Sequence, residues 1–397
     1  MVAMVTRSDF NRYMMPTYKP AEFVPSKAKG SWVWDKTNKK YIDFASGIAV
    51  SSLGHCHPAL NKALAEQSKK IWHLSNLLTN EPALRLAKIL CKHTFAEKVF
   101  FSNSGAEAVE GAIKTARKHA YTNISKKKNG IVAFSDAFHG RTMMTIALNG
   151  SDRFVEGYGP MPEGIKHHPF NETKNLEKVI NKNTAAVIVE LVQGEAGIIK
   201  AKKDFIQKIK KLCKQNQALI IVDEVQSGAG RTGTLFAYEQ FGIKPDIMCC
   251  AKGIGGGIPI GAVLTSSKIA ECMQLGSHGS TFGGNPLVTA VALSVLNIFE
   301  NDSILDNVFL MSKYFESEFK SKIMILDVVK ELRIKGLMIG IGLDENIIDC
   351  SKLTQKALDN KLLINITGNS IRLLPPLIIT KDEIDILIKK IFKLINT

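Results

Sequence analysis

The 397-residue sequence has little that marks an exported or membrane-bound protein. Its first fifteen residues contain Arg7, Asp9 and Arg12 and no long apolar run, which argues against a secretory signal peptide. The most apolar stretches are short and broken by charge, as in 218–225 with Asp223 and Glu224. None approaches the roughly 18 uninterrupted apolar residues of a membrane span, so no membrane partner and a cytoplasmic location are expected. Cysteine is scarce and odd in number: seven residues, no Cys-x-x-Cys pair, and Cys249-Cys250 adjacent within an apolar segment. That pattern disfavours a disulfide framework and fits buried reduced thiols. No metal centre is expected. His55-Cys56-His57 resembles a ligand cluster, but in an extended segment alternation points Cys56 away from both histidines, with no second ligand group nearby.

One imbalance is present, a net charge of +15. Basic surfaces attract phosphate backbones. Here, however, the lysines are spread along the chain, with one short run at 126–128, and no nucleic-acid motif accompanies them. Solvated lysines and a site for dianionic substrates account for the charge, so no nucleic-acid partner is expected.

What the sequence does contain is a series of short, β-branched apolar runs at 99–101, 131–134, 185–189, 219–222 and 261–264. Runs of that length and uniform apolarity fit strands buried on both faces of a mostly parallel sheet. Helical patterns alternate with them, at 106–121 and at 204–215, where Phe205, Ile206, Ile209 and Leu212 form one stripe. The alternation predicts an α/β domain. Beyond it, 286–299 and 381–395 read as helices of a smaller α+β domain, and 30–43 reads as a hairpin around Thr37-Asn38. The expected division is 1–47 packing on the small domain, 48–288 as the large domain, and 289–397 as the small one.

Three segments carry chemistry. Ser102-Asn103-Ser104-Gly105-Ala106-Glu107-Ala108 follows one strand and opens a helix, where free amides form an anion site. A plain N-cap by Ser104 explains that segment equally well. Asp223, at the carboxyl end of the run ending in Asp223-Glu224-Val225-Gln226, stands where open α/β sheets bind ligands. It could hold a protonated pyridine nitrogen, or be an ordinary cap. Lys252, between an apolar strand and Gly253-Ile254-Gly255-Gly256-Gly257, is placed for desolvation, which lowers a lysine's pKa and frees the amine as a nucleophile. Taken alone, a lysine beside glycines is more often exposed. Residues 253–257 lack the Gly-Lys-Ser/Thr ending of a phosphate loop. Residues 228–233 do match G-x-G-x-x-G, but no clear helix opens from them, so an NAD-dependent dehydrogenase remains only an alternative outside the main reading.

Joined with Ala137-Phe138-His139-Gly140-Arg141-Thr142 and Gly279-Ser280-Thr281-Phe282-Gly283-Gly284-Asn285-Pro286, these segments resemble the class III aminotransferases, in the family's order and across almost the whole chain. The resemblance implies a fold type I transferase with a mostly parallel seven-stranded sheet, pyridoxal 5'-phosphate as cofactor, and a homodimer with shared active sites. By it, Lys252 anchors the cofactor and shuttles the proton, and Asp223 holds the ring nitrogen. Phe138 stacks on the ring, Gln226 meets the ring hydroxyl, and Glu224 and Val225 complete that cofactor segment. Ser104, Gly105 and Ala106 bind the phosphate, with Thr281 reaching it from a second subunit and Ser280 beside the substrate. Arg141 and Arg372 take substrate carboxylates, and Glu195 gates Arg372.

Within the family, 43–50 and 73–77 resemble the acetylornithine aminotransferases, with Tyr18 and Ile48 as substrate contacts. Ornithine aminotransferases usually have tyrosine where Ile48 falls, and an apolar residue suits an acylated nitrogen better. Leu191 replaces the proline common after the first glutamate of 190–195. The activity implied is reversible amino transfer between N2-acetylornithine and 2-oxoglutarate. Alternatives are succinyl-diaminopimelate, succinylornithine, ornithine and 4-aminobutyrate as donors.

Overall fold

The computed structural model describes residues 6–396. Near the N-terminus, β1 (Pro25–Lys29), β2 (Trp32–Asp35) and β3 (Lys40–Asp43) form an antiparallel sheet. Its β2–β3 turn is set by Asp35, whose Oδ1 accepts from the amides of Thr37 at 2.8 Å and Lys39 at 2.9 Å. Asn38 takes the left-handed conformation, φ 61°, that its short side chain tolerates.

The large sheet contains β4 (Lys98–Ser102), β5 (Gly130–Phe134), β6 (Ile165–His168) and β7 (Thr184–Val189). After β7 comes a small hairpin of β8 (Val192–Gln193) and β9 (Ile199–Lys200). The sheet is completed by β10 (Leu219–Asp223), β11 (Ile247–Ala251) and β12 (Gly261–Thr265). The spatial order is β4-β12-β11-β10-β7-β5-β6, with β12 alone antiparallel to its neighbours. This is the mostly parallel seven-stranded sheet expected. Every residue of β7, β11 and β12 is buried, because helices cover both faces. The helix Gly105–Asn123 packs on β11 and β12, and Lys203–Asn216 packs on β7 and β10 through Phe205, Ile206, Ile209 and Leu212. The strand β6 was not anticipated. It reads Ile-Lys-His-His at the sheet edge, with Lys166 and His167 exposed, so it carries no buried-strand signature.

In the C-terminal part, β13 (Val329–Lys335), β14 (Met338–Leu343), β16 (Asn365–Thr367) and β17 (Ser370–Leu373) form a second antiparallel sheet, while β15 (Leu362–Leu363) pairs in parallel with β3. One apolar core joins Ile42 and Phe44 to Phe315, Phe319, Leu387 and Ile391 of the helices Ile304–Lys322 and Lys381–Ile395. The latter helix opens with a capping box between Thr380 and Glu383, and Glu383 Oε1 also accepts from Trp32 Nε1 at 2.9 Å. The helix Pro286–Asn301 belongs to both cores: Val291 and Val295 face the C-terminal one, Ala292 and Leu296 the large-sheet one. A cut at 288/289 therefore falls inside this helix. Among the described residues no single helix is long and apolar enough to cross a membrane.

Candidate active site

A cavity of about 390 Å³ opens at the carboxyl ends of β4, β5, β10 and β11, lined by Asn103, Ser104, Gly105, Ala106, Phe138, His139, Arg141, Glu190, Asp223, Val225, Gln226 and Lys252. Parallel strands bring their carboxyl ends to one edge, so four segments far apart in sequence converge there. Three larger cavities, about 600, 1050 and 610 Å³, open elsewhere, and none of them is lined by a buried lysine.

Lys252 directly follows β11 and has φ 45°, a conformation a non-glycine residue holds only under constraint. Burial, reinforced by the nearby Arg372 cation, pulls its amine down to about 8, against the opposing pull of Asp223, Glu190 and Glu195. Gly253 is required beside it, since a Cβ there would stand 2.9 Å from Ala229 Cβ. Ser52 Oγ donates to the Gly253 carbonyl at 2.9 Å, joining this turn to the segment after Ile48.

Asp223 is 4% exposed and hydrogen-bonds His139 Nδ1 through Oδ2 at 2.8 Å, while its Oδ1 accepts from the Val225 amide at 3.0 Å. Burial opposes the charge on His139, but the Asp223 hydrogen bond and the Asp223 and Glu190 charges outweigh it and raise the imidazole's pKa. The buried Glu190 is pushed upward by desolvation; its Oε2 accepts from the Phe138 amide at 2.9 Å, setting the backbone of that aromatic residue. His139 and Glu190 received no role from the sequence. The available signal for His139 was its place between Phe138 and Gly140 in a motif that was recognised.

At the head of the helix Gly105–Asn123, Ser104 Oγ caps the Glu107 amide at 3.2 Å, so the capping reading of this segment holds. The first-turn amides of Gly105 and Ala106 lie beyond reach of any helical carbonyl and border the cavity. A Cβ on Gly105 would meet Val225 Cγ1 at 2.7 Å, so glycine lets this turn pack closely against the segment after β10. Gln226 Oε1 is buried with no partner. Glu224 is turned away: its carboxylate accepts from Ser227 Oγ and from the Tyr238 amide at 2.7 Å, and contributes no side-chain group to the cavity.

The arginines differ in setting. Arg141 is exposed at the cavity wall, its guanidinium 5.4 Å from the Phe138 ring centre and 4.5 Å from that of Phe154. Arg372, on β17, is 2% exposed and paired with Glu195 at 2.7 Å, and its Nε has no partner. Glu195 sits in the β8–β9 hairpin, 177 residues away in sequence.

Ile48, 38% exposed, lies in an unusual turn: Ser46, Gly47, Ile48 and Ala49 all have positive φ, between 48° and 64°. Each non-glycine residue so held costs about 1–2 kcal/mol. Asp43 secures the turn, its Oδ1 accepting from the Ala45 and Ser46 amides at 2.9 Å and its Oδ2 bonding His55 Nε2 at 2.8 Å. Cys56 has φ 51°, so 55–57 is bent and not the extended segment assumed from sequence. Tyr18 (78% exposed), Ile48 and Thr281 are not brought to the cavity lining in this single chain. Ser280 approaches it through Asn103, whose Nδ2 lies 3.1 Å from Ser280 Oγ. Residues 228–233 make turns followed by a short 3-10 segment (Ala237–Gln240), without the helix a dinucleotide fold requires.

A seven-stranded α/β sheet with a desolvated lysine facing a buried aspartate defines a fold type I, pyridoxal-phosphate-dependent transferase. The comparisons give the family. The class-III aminotransferase model matches residues 13–395, and the chain belongs to that family. It is 46% identical to the acetylornithine/succinyldiaminopimelate aminotransferase of Buchnera aphidicola, over 97% of this chain and 94% of that one. It is 47% identical to the succinylornithine transaminase of Photorhabdus laumondii, over 97% and 96%. Among solved structures, the ornithine aminotransferase of Toxoplasma gondii superposes with a TM-score of 0.94 at 30% identity, covering 98% of this chain and 94% of that one.

The residues fit the family's cofactor. Asp223 offers a buried carboxylate to a ring nitrogen, Gln226 an unpartnered acceptor to a ring hydroxyl, and the Gly105 turn open amides to a phosphate. Bound there, pyridoxal phosphate supplies an electron sink for the carbanion left when a substrate Cα or terminal carbon loses its proton.

Proposed function

We propose that this chain transfers the δ-amino group of N2-acetylornithine to 2-oxoglutarate, giving N-acetylglutamate 5-semialdehyde and glutamate. The observation that carries this reading is the closed Arg372–Glu195 pair beside Lys252, set against the open Arg141. An ω-amino donor and an α-amino donor must place different carbons at one lysine. With Arg372 masked by Glu195, the donor's α-carboxylate is left to Arg141, and its distal amine reaches Lys252. Glutamate then displaces Glu195 and binds Arg372 through two parallel hydrogen bonds, bringing its α-amine to the same place, while Arg141 takes its distal carboxylate. In both halves the Lys252 amine moves the proton and Asp223, braced by His139, keeps the ring nitrogen protonated.

Ile48 stands where ornithine aminotransferases usually have tyrosine, and an apolar side chain there offers an α-ammonium no hydrogen-bond partner, which favours an acylated α-nitrogen. Succinylornithine is the second reading, supported by the succinyl donors in the names of both relatives. A homodimer in the cytoplasm completes the proposal. Ile71, Trp72, Leu77, Leu78, Leu275 and Phe282 are 49–106% exposed, and this apolar surface adjoins the Asn76 to Ser280 contact. A second copy covering it brings Thr281 toward the phosphate turn.

The test is single-turnover spectroscopy of the cofactor-loaded enzyme with each donor and no keto acid. Conversion to the pyridoxamine form by acetylornithine, with ornithine and 4-aminobutyrate slow, supports the assignment. Faster conversion by succinylornithine moves it to that donor, and conversion by ornithine alone removes the Ile48 argument.

A further inference from the structure

The G-x-G-x-x-G run at 228–233 serves neither a dinucleotide nor the cavity, yet it contains the largest fully buried side chain among the described residues, Arg231, 1% exposed. Among the described residues this guanidinium has no carboxylate partner. Its NH1 donates to the carbonyls of Leu337 at 3.2 Å and Pro375 at 2.5 Å, and its NH2 is buried without an acceptor. A buried cation held only by carbonyls is poorly compensated, and an apolar side chain of similar size would pack at lower cost. The arrangement therefore calls for a positional reason.

Both acceptors flank strands of the small sheet. Leu337 immediately precedes β14, which pairs with β17 through Gly340 opposite Arg372; Pro375 lies three residues past Arg372. The donor lies in the loop that follows Asp223 at the end of β10 and holds Val225 and Gln226. The main chain repeats the clamp, since the Leu337 amide donates to the Arg231 carbonyl at 2.9 Å. The two backbones touch at Gly336, φ 58°, where a Cβ would lie 2.5 Å from the Thr232 carbonyl carbon.

We propose that Arg231 is a positioning residue that locks the strand bearing Arg372 against the cofactor loop, and so sets the carboxylate site used by glutamate and 2-oxoglutarate. This rests on the assignment of Arg372 to that carboxylate. The acetylornithine half-reaction, which leaves Arg372 paired with Glu195, does not depend on the lock to the same degree.

The experiment uses Arg231→Met, which removes the donors at similar volume, and Gly336→Ala, which wedges the same seam from the other side. Arg372→Ala is the control. Each half-reaction is followed separately by stopped-flow on the cofactor-loaded enzyme, and binding of glutarate, a non-reacting dicarboxylate, is measured by calorimetry. Misplacement of the order of 1 Å costs about a hundredfold. The expected result is a ten- to hundredfold rise, in order of magnitude, in the KM for glutamate and the Kd for glutarate, with the acetylornithine half-reaction within about twofold. If Arg231→Met does not fold, Gly336→Ala carries the same expectation. Parallel loss of both half-reactions, or loss of neither, in the folded variants overturns the proposal while Arg372→Ala still impairs glutamate. If Arg372→Ala spares glutamate, the assignment of Arg372 has failed and the lock falls with it.

Discussion

The two sides of the cavity are built differently. Lys252 and Asp223 stand at or just past the end of strands buried along their length, as in β11, or along all but the first residue, as in β10. Their neighbours are helices packed on both faces of one sheet. On the Arg372 side, the cation comes from a four-stranded sheet, its counter-charge from a two-residue hairpin, and the seam between the sheets is held by few polar contacts. Glu195 is 29% exposed, whereas Asp223 is 3% exposed at the side chain. On the proposed reading, the reacting centre is embedded in the buried sheet, and donor selection falls to the part where a more exposed ion pair can open. That division suits an enzyme that must accept two substrates of different length at one lysine.

The comparison can be broken most severely at its fixed side. Lys252→Ala should lower turnover by about four orders of magnitude or more, with circular dichroism unchanged and no visible band from lysine-bound cofactor. On the movable side, Arg372→Ala should reduce kcat/KM for glutamate roughly a hundredfold, about 3 kcal/mol, and that for acetylornithine much less; steady-state kinetics on each donor decides it. The pH dependence of cofactor capture sharpens the contrast. With the Lys252 amine near 8, its neutral fraction in the stripped protein is about a tenth at pH 7 and about nine tenths at pH 9. The rate of pyridoxal phosphate uptake should therefore rise roughly tenfold across that interval and then level off. Ile48→Tyr should shift the ornithine-to-acetylornithine preference by about tenfold toward ornithine, in competition assays.

The smallest effect concerns Glu224, which burial raises to about 7. Between pH 4.5 and 7 the unfolded chain has lost this proton and the folded chain retains it, so stability falls as pH rises through that window. Glu224→Gln removes the titration, and the decline in unfolding free energy from pH 5 to pH 7, measured by urea titration, should shrink by about 1–2 kcal/mol.

Legibility followed the same division. The buried runs leading into Asp223 and Lys252, and the helix start at Ser104, were readable because each is a local pattern: apolar residues, then a polar group, then small residues. The edge strand β6 was not readable, because its two central residues, Lys166 and His167, are exposed and its sequence carries two histidines and a lysine. Glu224 looked like part of the cofactor segment by position, yet its side chain points to Ser227 and Tyr238, since neighbours along an irregular stretch need not share a direction.

By itself the sequence determined the class of sheet, the lysine and aspartate at its carboxyl edge, and the kinship with the class III aminotransferases. These depend on short-range pattern: hydrophobic period, strand ends and glycine placement lie within a dozen residues of each other. Only the tertiary structure decided that His139 braces Asp223 across 84 residues, that Glu195 closes Arg372 across 177, that residues 46–49 turn left-handed on Asp43, and that Arg231 is buried against Leu337 and Pro375. Each of these is a contact between segments brought together by packing of the cores, and no local pattern specifies which distant carbonyl or carboxylate a buried donor will meet.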